Sequence, residues 1–415
     1  MSGGAQGIES SPVGWGRSVR RMERRQLLTV LAILYSGQAI PAYLIGTAAV
    51  PIMREQGVPK SAIGLLGLLL IPMLLRFLWA PYVDRIRPFA RAHRTGWIGL
   101  TQIAIVGFLV GLSFVQPSSV GPFMVIGLAI SLLLATNDIA VDGYATRMLS
   151  PADRPVGNAI QGAGVSVGVI VGGSGGMIAY QFWNWQIAVL IAAALSLLPL
   201  LAVLMMRESD AETITRHDAR PSLRAFFARP EAVSVLGVAL IYRASEGLMN
   251  AMSSPYLVDN GVSLDTIGYL TGAAAATAGI AGSIIAALLM RHFGAIITLG
   301  LLGALRTICY SWFALHALGV VSGNAGLFAA AGFETLLRTM ETVAMFTLFM
   351  IVSSKAQPGT DYSILSCAQI LIYLVGWTSA GAIADRLGYG SLFLLATAVS
   401  FLSVMISVRL LKARI

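Results

Sequence analysis

The chain has 415 residues, 56% of them hydrophobic and only 11% charged, with a mean hydropathy of +0.78. Soluble domains carry about a quarter charged residues, so this balance excludes one and points to a chain solvated by lipid. The net charge of +9 sits at the ends of apolar runs and not on a folded soluble surface, which excludes a nucleic-acid partner.

A membrane-crossing helix needs about 20 apolar residues. Residues 1–25 are predicted to be a cytoplasmic N-terminal segment. Its Arg20, Arg21, Arg24 and Arg25 precede an apolar run, as in a secretion signal. That run is too long for a signal-peptide core and offers no small-residue cleavage site, so it reads as an uncleaved first span. Spans over 26–52, 61–83, 97–116, 121–148, 156–180 and 185–206 form a first six-helix bundle, residues 26–206. The charged segment 207–232 is the cytoplasmic linker. Spans over 233–257, 267–290, 295–316, 325–353, 362–383 and 391–411 form a second bundle, residues 233–411, with 412–415 as a cytoplasmic tail. The fold class is an all-α membrane protein of twelve transmembrane helices in two six-helix bundles.

The two bundles are written from one pattern. PIMREQGVPKSAIGLL at 51–66 returns as PYLVDNGVSLDTIGYL at 255–270, aligning Pro51 with Pro255, Gly57 with Gly261 and Gly64 with Gly268. Six spans separate the copies, so both keep one orientation and are related by an axis along the membrane normal. Duplicated hydrophobic halves of this kind mark secondary transporters. With the N-terminus cytoplasmic, inside segments hold 21 of the 28 basic residues, and outside segments hold only Arg54, Lys60 and Arg386. The asymmetry places both termini in the cytoplasm and the loop arginines against anionic lipid.

Other motifs narrow the chemistry. None of the lysines Lys60, Lys355 and Lys412 follows glycine, so no P-loop supplies an ATPase. Gly172-Gly173-Ser174-Gly175-Gly176 matches a nucleophile pattern but lies inside a span, outside the strand–turn–helix context that chemistry needs. Gly164, Gly168, Gly172 and Gly176 recur every four residues and predict a close-packed helix face. Its counterpart on span eleven is Ala368, Ile372, Gly376 and Ala380. Cys309 and Cys367 both fall within spans, so neither a disulfide framework nor a metal site is suggested. No cofactor, no metal and no catalytic constellation is predicted, and the chain is not read as an enzyme.

Ionisable groups at membrane depth are costly and default to function. Span four carries Asp138 and Asp142 on one face. A rise of about 1.5 Å per residue puts them roughly 15 and 9 Å from the cytoplasmic end. Span seven carries Arg243 and Glu246 near mid-membrane. Span ten carries Glu334, Arg338 and Glu341, spaced so that they can pair within one helix. Arg76 lies on span two and Arg306 on span nine. For each, the plainer alternative is an ion pair that locks two helices, and for Arg306 that alternative is preferred. Gln38, Tyr43, Gln161, Tyr242, Asn250, Gln369 and Tyr373 supply polar company at similar depth.

Leu78-Trp79-Ala80-Pro81-Tyr82-Val83-Asp84-Arg85 and Thr136-Asn137-Asp138-Ile139-Ala140-Val141-Asp142-Gly143-Tyr144 resemble segments of spans two and four in one branch of the major facilitator superfamily, that of muropeptide permeases and acetyl-CoA transporters. Asp153, Arg154 and Trp185 fit as well. Asn137, where glutamine is the rule, and Gly143, where alanine is common, depart from it. The compact length resembles the bacterial inner-membrane siderophore permeases of the pyochelin and rhizobactin type. That resemblance implies import of an anionic iron–siderophore complex from periplasm to cytoplasm by alternating access, driven by the proton-motive force. A muropeptide or sugar-peptide permease, or a metabolite exporter, is the alternative.

The expected roles follow. Arg243 attracts the anionic part of a small-molecule substrate, supported by Arg338, Arg76, Gln161, Tyr242 and Gln369. Asp138, Glu246 and Glu341 are the proton-responsive carboxylates, since burial disfavours the charged form. Asp84, Arg85, Asp142 and Arg147 close a cytoplasmic gate. The protein is expected to act as a monomer in the lipid of the inner membrane.

Overall fold

The computed structural model describes residues 23–58, 65–89, 92–206, 221–262 and 273–414. Within them the chain is helical apart from one isolated bridge, Phe89 to Ala92. Nine helices among the described residues are long and apolar enough to cross a membrane, and the shorter apolar segment Leu66–Leu78 accompanies them. Two of the nine, within Ala273–Ala317 and Pro358–Arg414, each turn back at a glycine with positive φ, Gly294 (φ 72°) and Gly388 (φ 78°). Only glycine adopts that conformation without steric penalty, so two tight corners separate spans eight from nine and eleven from twelve. Large apolar side chains such as Leu204, Phe182 and Val125 are fully presented on the outside. This is the surface that lipid solvates.

Span two departs from the single helix expected over 61–83. It is built of short pieces: a 3-10 turn Leu65–Leu70, helix α1 Ile71–Leu75, a second 3-10 turn Arg76–Leu78 and helix α2 Ala80–Arg85. Pro72 and Pro81 stand in the first turns of α1 and α2. A proline lacks the N–H that would bond to the preceding turn, so the ladder is interrupted twice and Arg76 falls in the gap. Span seven is interrupted similarly. Helix α3 Pro230–Ile241 ends before Arg243, and helix α4 Ala244–Asp259 restarts after it. Span seven thus begins at Pro230, three residues before the expected 233, with Pro230 in the first helical turn.

The glycine ridge of span five packs on span one. A Cβ on Gly164 would lie 2.9 Å from the Tyr35 Cβ, and one on Gly168 would crowd Ala39 and Tyr43. The shifted ridge of span eleven does the same to span seven, where Gly376 meets the Leu248 backbone nitrogen at 3.0 Å from an ideal Cβ. Where spans one and five touch, each contains a π-helical turn, Leu44–Ala48 and Val169–Ser174. Such turns widen a helix locally and recur at functional sites.

The repeat is visible in its caps. Gly57 (φ 81°) and Gly261 (φ 78°) end spans one and seven in the same left-handed conformation. After each, a valine N–H reaches back five residues, Val58 to Met53 at 3.0 Å and Val262 to Leu257 at 3.1 Å. Gly64 and Gly268, along with Lys60, Arg91 and linker residues 207–220, lie outside the described residues.

Two buried apolar clusters show how the halves meet. One runs through both halves, from Leu27 and Val141 to Met350 and Tyr362. The other, from Ile40 to Ala193, draws on the first half alone. At the arginine-rich end Asp84 accepts from Gly359 and Thr360 across the two halves, and a cavity lies between the halves. Replacing Gly57 or Gly261 by alanine should cost about 1–2 kcal/mol each, the penalty of a side chain in the left-handed region. Thermal melts in detergent should show both losses, while Gly111→Ala, in open space inside its helix, should be neutral.

Candidate functional site

The cavity between the halves encloses about 650 Å³. Spans one, two, four and five contribute Gln38, Tyr43, Arg76, Asp138 and Gln161; spans seven, ten and eleven contribute Arg243, Glu246, Arg338, Gln369 and Tyr373. Three arginines and two carboxylates thus face it, and the imbalance leaves a positive excess.

On the first-half wall, Arg76 is buried and ion-paired to Asp138. It lies 3.6 Å from Asp142 and donates to the Ser366 hydroxyl at 2.7 Å, across the boundary between halves. Asp138 also accepts from Gln38 at 2.9 Å. Asp142 accepts from Tyr35 at 3.1 Å and Gln161 at 3.3 Å, and Gln161 in turn accepts from Tyr362 at 3.2 Å. Asp142 thus joins Arg76, Tyr35 and Gln161 in one buried network behind Asp138. Its position one turn below Asp138 aims it at the same guanidinium.

On the second-half wall, Arg243 makes a two-pronged ion pair with Glu246, three residues on, and donates to Thr342 at 3.0 Å. With its amide turned so that the oxygen faces Arg243, Gln369 accepts from the same guanidinium. Arg243, expected to be the lead substrate contact, is thus already engaged by Glu246, Thr342 and Gln369. Arg338 differs: it lines the cavity half-buried and forms no ion pair among the described residues. The predicted pairing within the span-ten ladder does not form. Glu341 instead meets Arg306 at 2.9 Å and accepts from Tyr242 at 2.9 Å.

Tyr242 and Glu341 stand behind the wall. Tyr242 is fully buried, its hydroxyl bonded to the Leu299 carbonyl at 2.7 Å and its ring 4.7 Å from the Arg306 guanidinium. Arg306 completes its coordination with Ser400 at 3.0 Å and the Tyr242 carbonyl at 2.8 Å. This cluster ties spans seven, nine, ten and twelve together. The corrections to Tyr242 and Glu341 share one cause. Depth along a helix is legible in a sequence, but the direction a residue faces is not when both sides of the helix are apolar.

At the arginine-rich end, Asp84 pairs with Arg94, while Arg85 is exposed at the surface and Arg147 is half-buried. Asp84 also accepts from Thr360 N at 2.6 Å, Thr360 Oγ1 at 2.7 Å and Gly359 N at 3.3 Å. These are the unsatisfied amides of the first turn of span eleven, where a carboxylate is favoured. Nearby, Asn158 donates to Thr347 at 3.2 Å across the same seam. Sequence reasoning missed Arg94, and its one trace was Gly143: an ideal Cβ there would lie 2.5 Å from the Arg94 Cζ.

A family model described as Major Facilitator Superfamily matches residues 27–243, more than half of the chain. The chain belongs to the Major Facilitator Superfamily. As a superfamily member it is a multi-pass membrane protein and a secondary transporter. The chain is 25% identical over 385 residues to the anhydromuropeptide permease of Escherichia coli strain K12, covering 89% of this chain and 77% of that one. It is 20% identical over 373 residues to the putative transporter AmpG 4 of Rickettsia conorii, covering 86% and 89%. The sequence resemblance to the muropeptide permease branch is borne out. In fold it is similar to a bacterial homologue of the iron transporter ferroportin in its outward-facing state, with a TM-score of 0.70 at 14% identity, covering 94% and 99%.

Two tests follow from these pairings. Breaking one buried ion pair strands a charge and costs about 3–5 kcal/mol. Arg243→Gln should therefore destabilise the transporter by that order, and Arg243→Gln/Glu246→Gln should recover most of the loss in detergent melts. Asp84→Asn should loosen the seam, so a cysteine at the buried Thr347 should react faster with a reagent added on the arginine-rich side. Unchanged labelling would confine Asp84 to folding.

Proposed function

We propose that the chain is a bacterial inner-membrane permease that carries an anionic sugar-peptide of the muropeptide class into the cytoplasm by alternating access. The carrying observation is Arg338, the cavity arginine that closes no ion pair among the described residues. Around it, Thr335, Thr339 and Thr342 line one wall, and each hydroxyl donates to a backbone carbonyl of its own helix at 3.2, 3.2 and 2.8 Å. The Thr335 and Thr339 oxygens are then acceptors for sugar hydroxyls, while the Thr342 oxygen already accepts from Arg243. Tyr43 and Tyr373 offer flat apolar faces of the kind that pyranose rings stack upon. Arg338 suits a carboxylate because its planar fork can bind both oxygens. Arg76 and Arg243 shape the site from within their own ion pairs, with Gln161 and Gln369 as hydrogen-bonding groups.

The relative named as an anhydromuropeptide permease aligns along most of the chain, which supports this cargo over the iron–siderophore complex. The likeness to a ferroportin homologue concerns the fold alone. The preponderance of basic residues at the sealed end supports cytoplasmic termini and a cavity that faces the periplasm. The Asp84–Thr360 seam acts as the inner gate.

Uptake separates the readings. In a strain lacking its own muropeptide permease, cells expressing this chain should accumulate labelled anhydromuropeptide, and an uncoupler should abolish accumulation. Arg338→Gln should reduce uptake at least tenfold, with the protein still present in the membrane. Accumulation of labelled iron–siderophore without muropeptide uptake would restore the siderophore reading.

A further inference from the structure

The second half places three arginines and three glutamates at membrane depth, but only two pairs are closed. Arg243 holds Glu246 and Arg306 holds Glu341. Glu334 and Arg338 are left over, four residues apart on one face of span ten. Glu334 is buried, with 8% of its surface exposed, and its Oε1 has no hydrogen-bond partner. Behind the cavity wall both residues border one closely packed cluster with Glu246, Arg306, Tyr310 and Glu341. Arg338 borders the cavity as well as this cluster, so a small rotation of its flexible stem brings the guanidinium toward one or the other.

We propose that Glu334 is a proton-binding site that competes with the cargo's anionic group for Arg338. An isolated carboxylate in this setting is untenable, since a buried charge must be paired or neutralised. The groups facing it define the choice. Arg243 and Arg306 are occupied by Glu246 and Glu341, and the Cys309 thiol and the Tyr310 hydroxyl supply no positive charge. Glu334 therefore either holds a proton or takes Arg338. When protonated it leaves Arg338 free to bind cargo from the cavity. When it gives up the proton, presented toward the cytoplasm, it draws Arg338 away and the cargo is released. The proton forms an O–H bond on the carboxylate from the periplasmic side and leaves to water on the cytoplasmic side, with no redox change or other bond made or broken. The two equilibria are linked, so each shifts the other by the same factor. This inference rests on the anionic-cargo reading above.

Two measurements test it. Binding of labelled anhydromuropeptide to the purified transporter should weaken with rising pH, by about tenfold per pH unit once Glu334 ionises. Glu334→Gln should bind tightly at all pH values, lose accumulation and retain exchange of bound for free cargo. Arg338→Gln should bind weakly at all pH values. Independently of cargo, pH-difference infrared spectra of the unloaded protein should show a carboxylic-acid C=O band that Glu334→Gln removes. A band unchanged by Glu334→Gln, or a variant that keeps the wild-type pH dependence, would overturn the proposal. So would failure of Glu334→Gln to fold, because glutamine is a close mimic of the protonated acid. Absence of muropeptide binding at every pH, with the infrared band intact, would instead strike the cargo reading and leave the proton site standing.

Discussion

Unpaired charge in a low-dielectric interior is the constraint that organises this transporter. An arginine at the centre of a bilayer carries a penalty of about 2.5–3.5 kcal/mol even on insertion scales, and mutual pairing relieves it only when geometry is good. Arg76, Arg243 and Arg306 each satisfy that condition with a different design. Arg76 reaches across to span four and span eleven. Arg243 folds back on its own helix. Arg306 is wrapped by a carboxylate, a hydroxyl, a carbonyl and an aromatic ring. Each pair fixes the helices around it, and what the pairs leave over defines the chemistry of the cavity.

The breaks in the helices serve the same end. An uninterrupted helix would have its backbone groups satisfied and could offer only side chains to the cavity. At Arg76 and Arg243 the helices are broken, and both arginines sit at the discontinuity. The two positions are not repeat equivalents, so the halves have reached a similar device separately. Glycine contacts complement this: where span five rests on span one and span eleven on span seven, the absence of side chains lets backbones touch, and dispersion replaces the hydrophobic effect that lipid cannot supply.

The sequence carried much of the architecture. The repeat, the twelve apolar runs and the glycine ridge all derive from local composition, and each has a local structural expression. The Gly57 and Gly261 caps are one residue type performing one backbone task twice. Partner assignments were less legible. Asp138 and Asp142 meet one guanidinium, as two acids on one helix face can, but their spacing did not name Arg76, Gln38 or Tyr35 as the partners. Tyr242 and Arg243 are adjacent in the chain but serve opposite sides of one wall. In a soluble protein the polar face would betray this difference. Here lipid and core are both apolar, and periodicity carries little signal. Glu341 is a similar case, since its partner Arg306 comes from a span whose rotation only the fold determines.

Gly143 has a consequence for how this family varies. Its missing side chain is the space that Arg94 occupies beside Asp84. A methyl at that position requires the Arg94 guanidinium to shift, and the pairing with Asp84 must adjust with it. Positions 94 and 143 are therefore not free to drift independently. In relatives with alanine at the second position, the first should hold a shorter residue or the carboxylate should be partnered from elsewhere. A sequence survey would see this as covariation between sites 49 apart in the chain. An engineer would meet it as sign epistasis, in which a change harmless in one homologue is disabling in another until its distant counterpart is changed too.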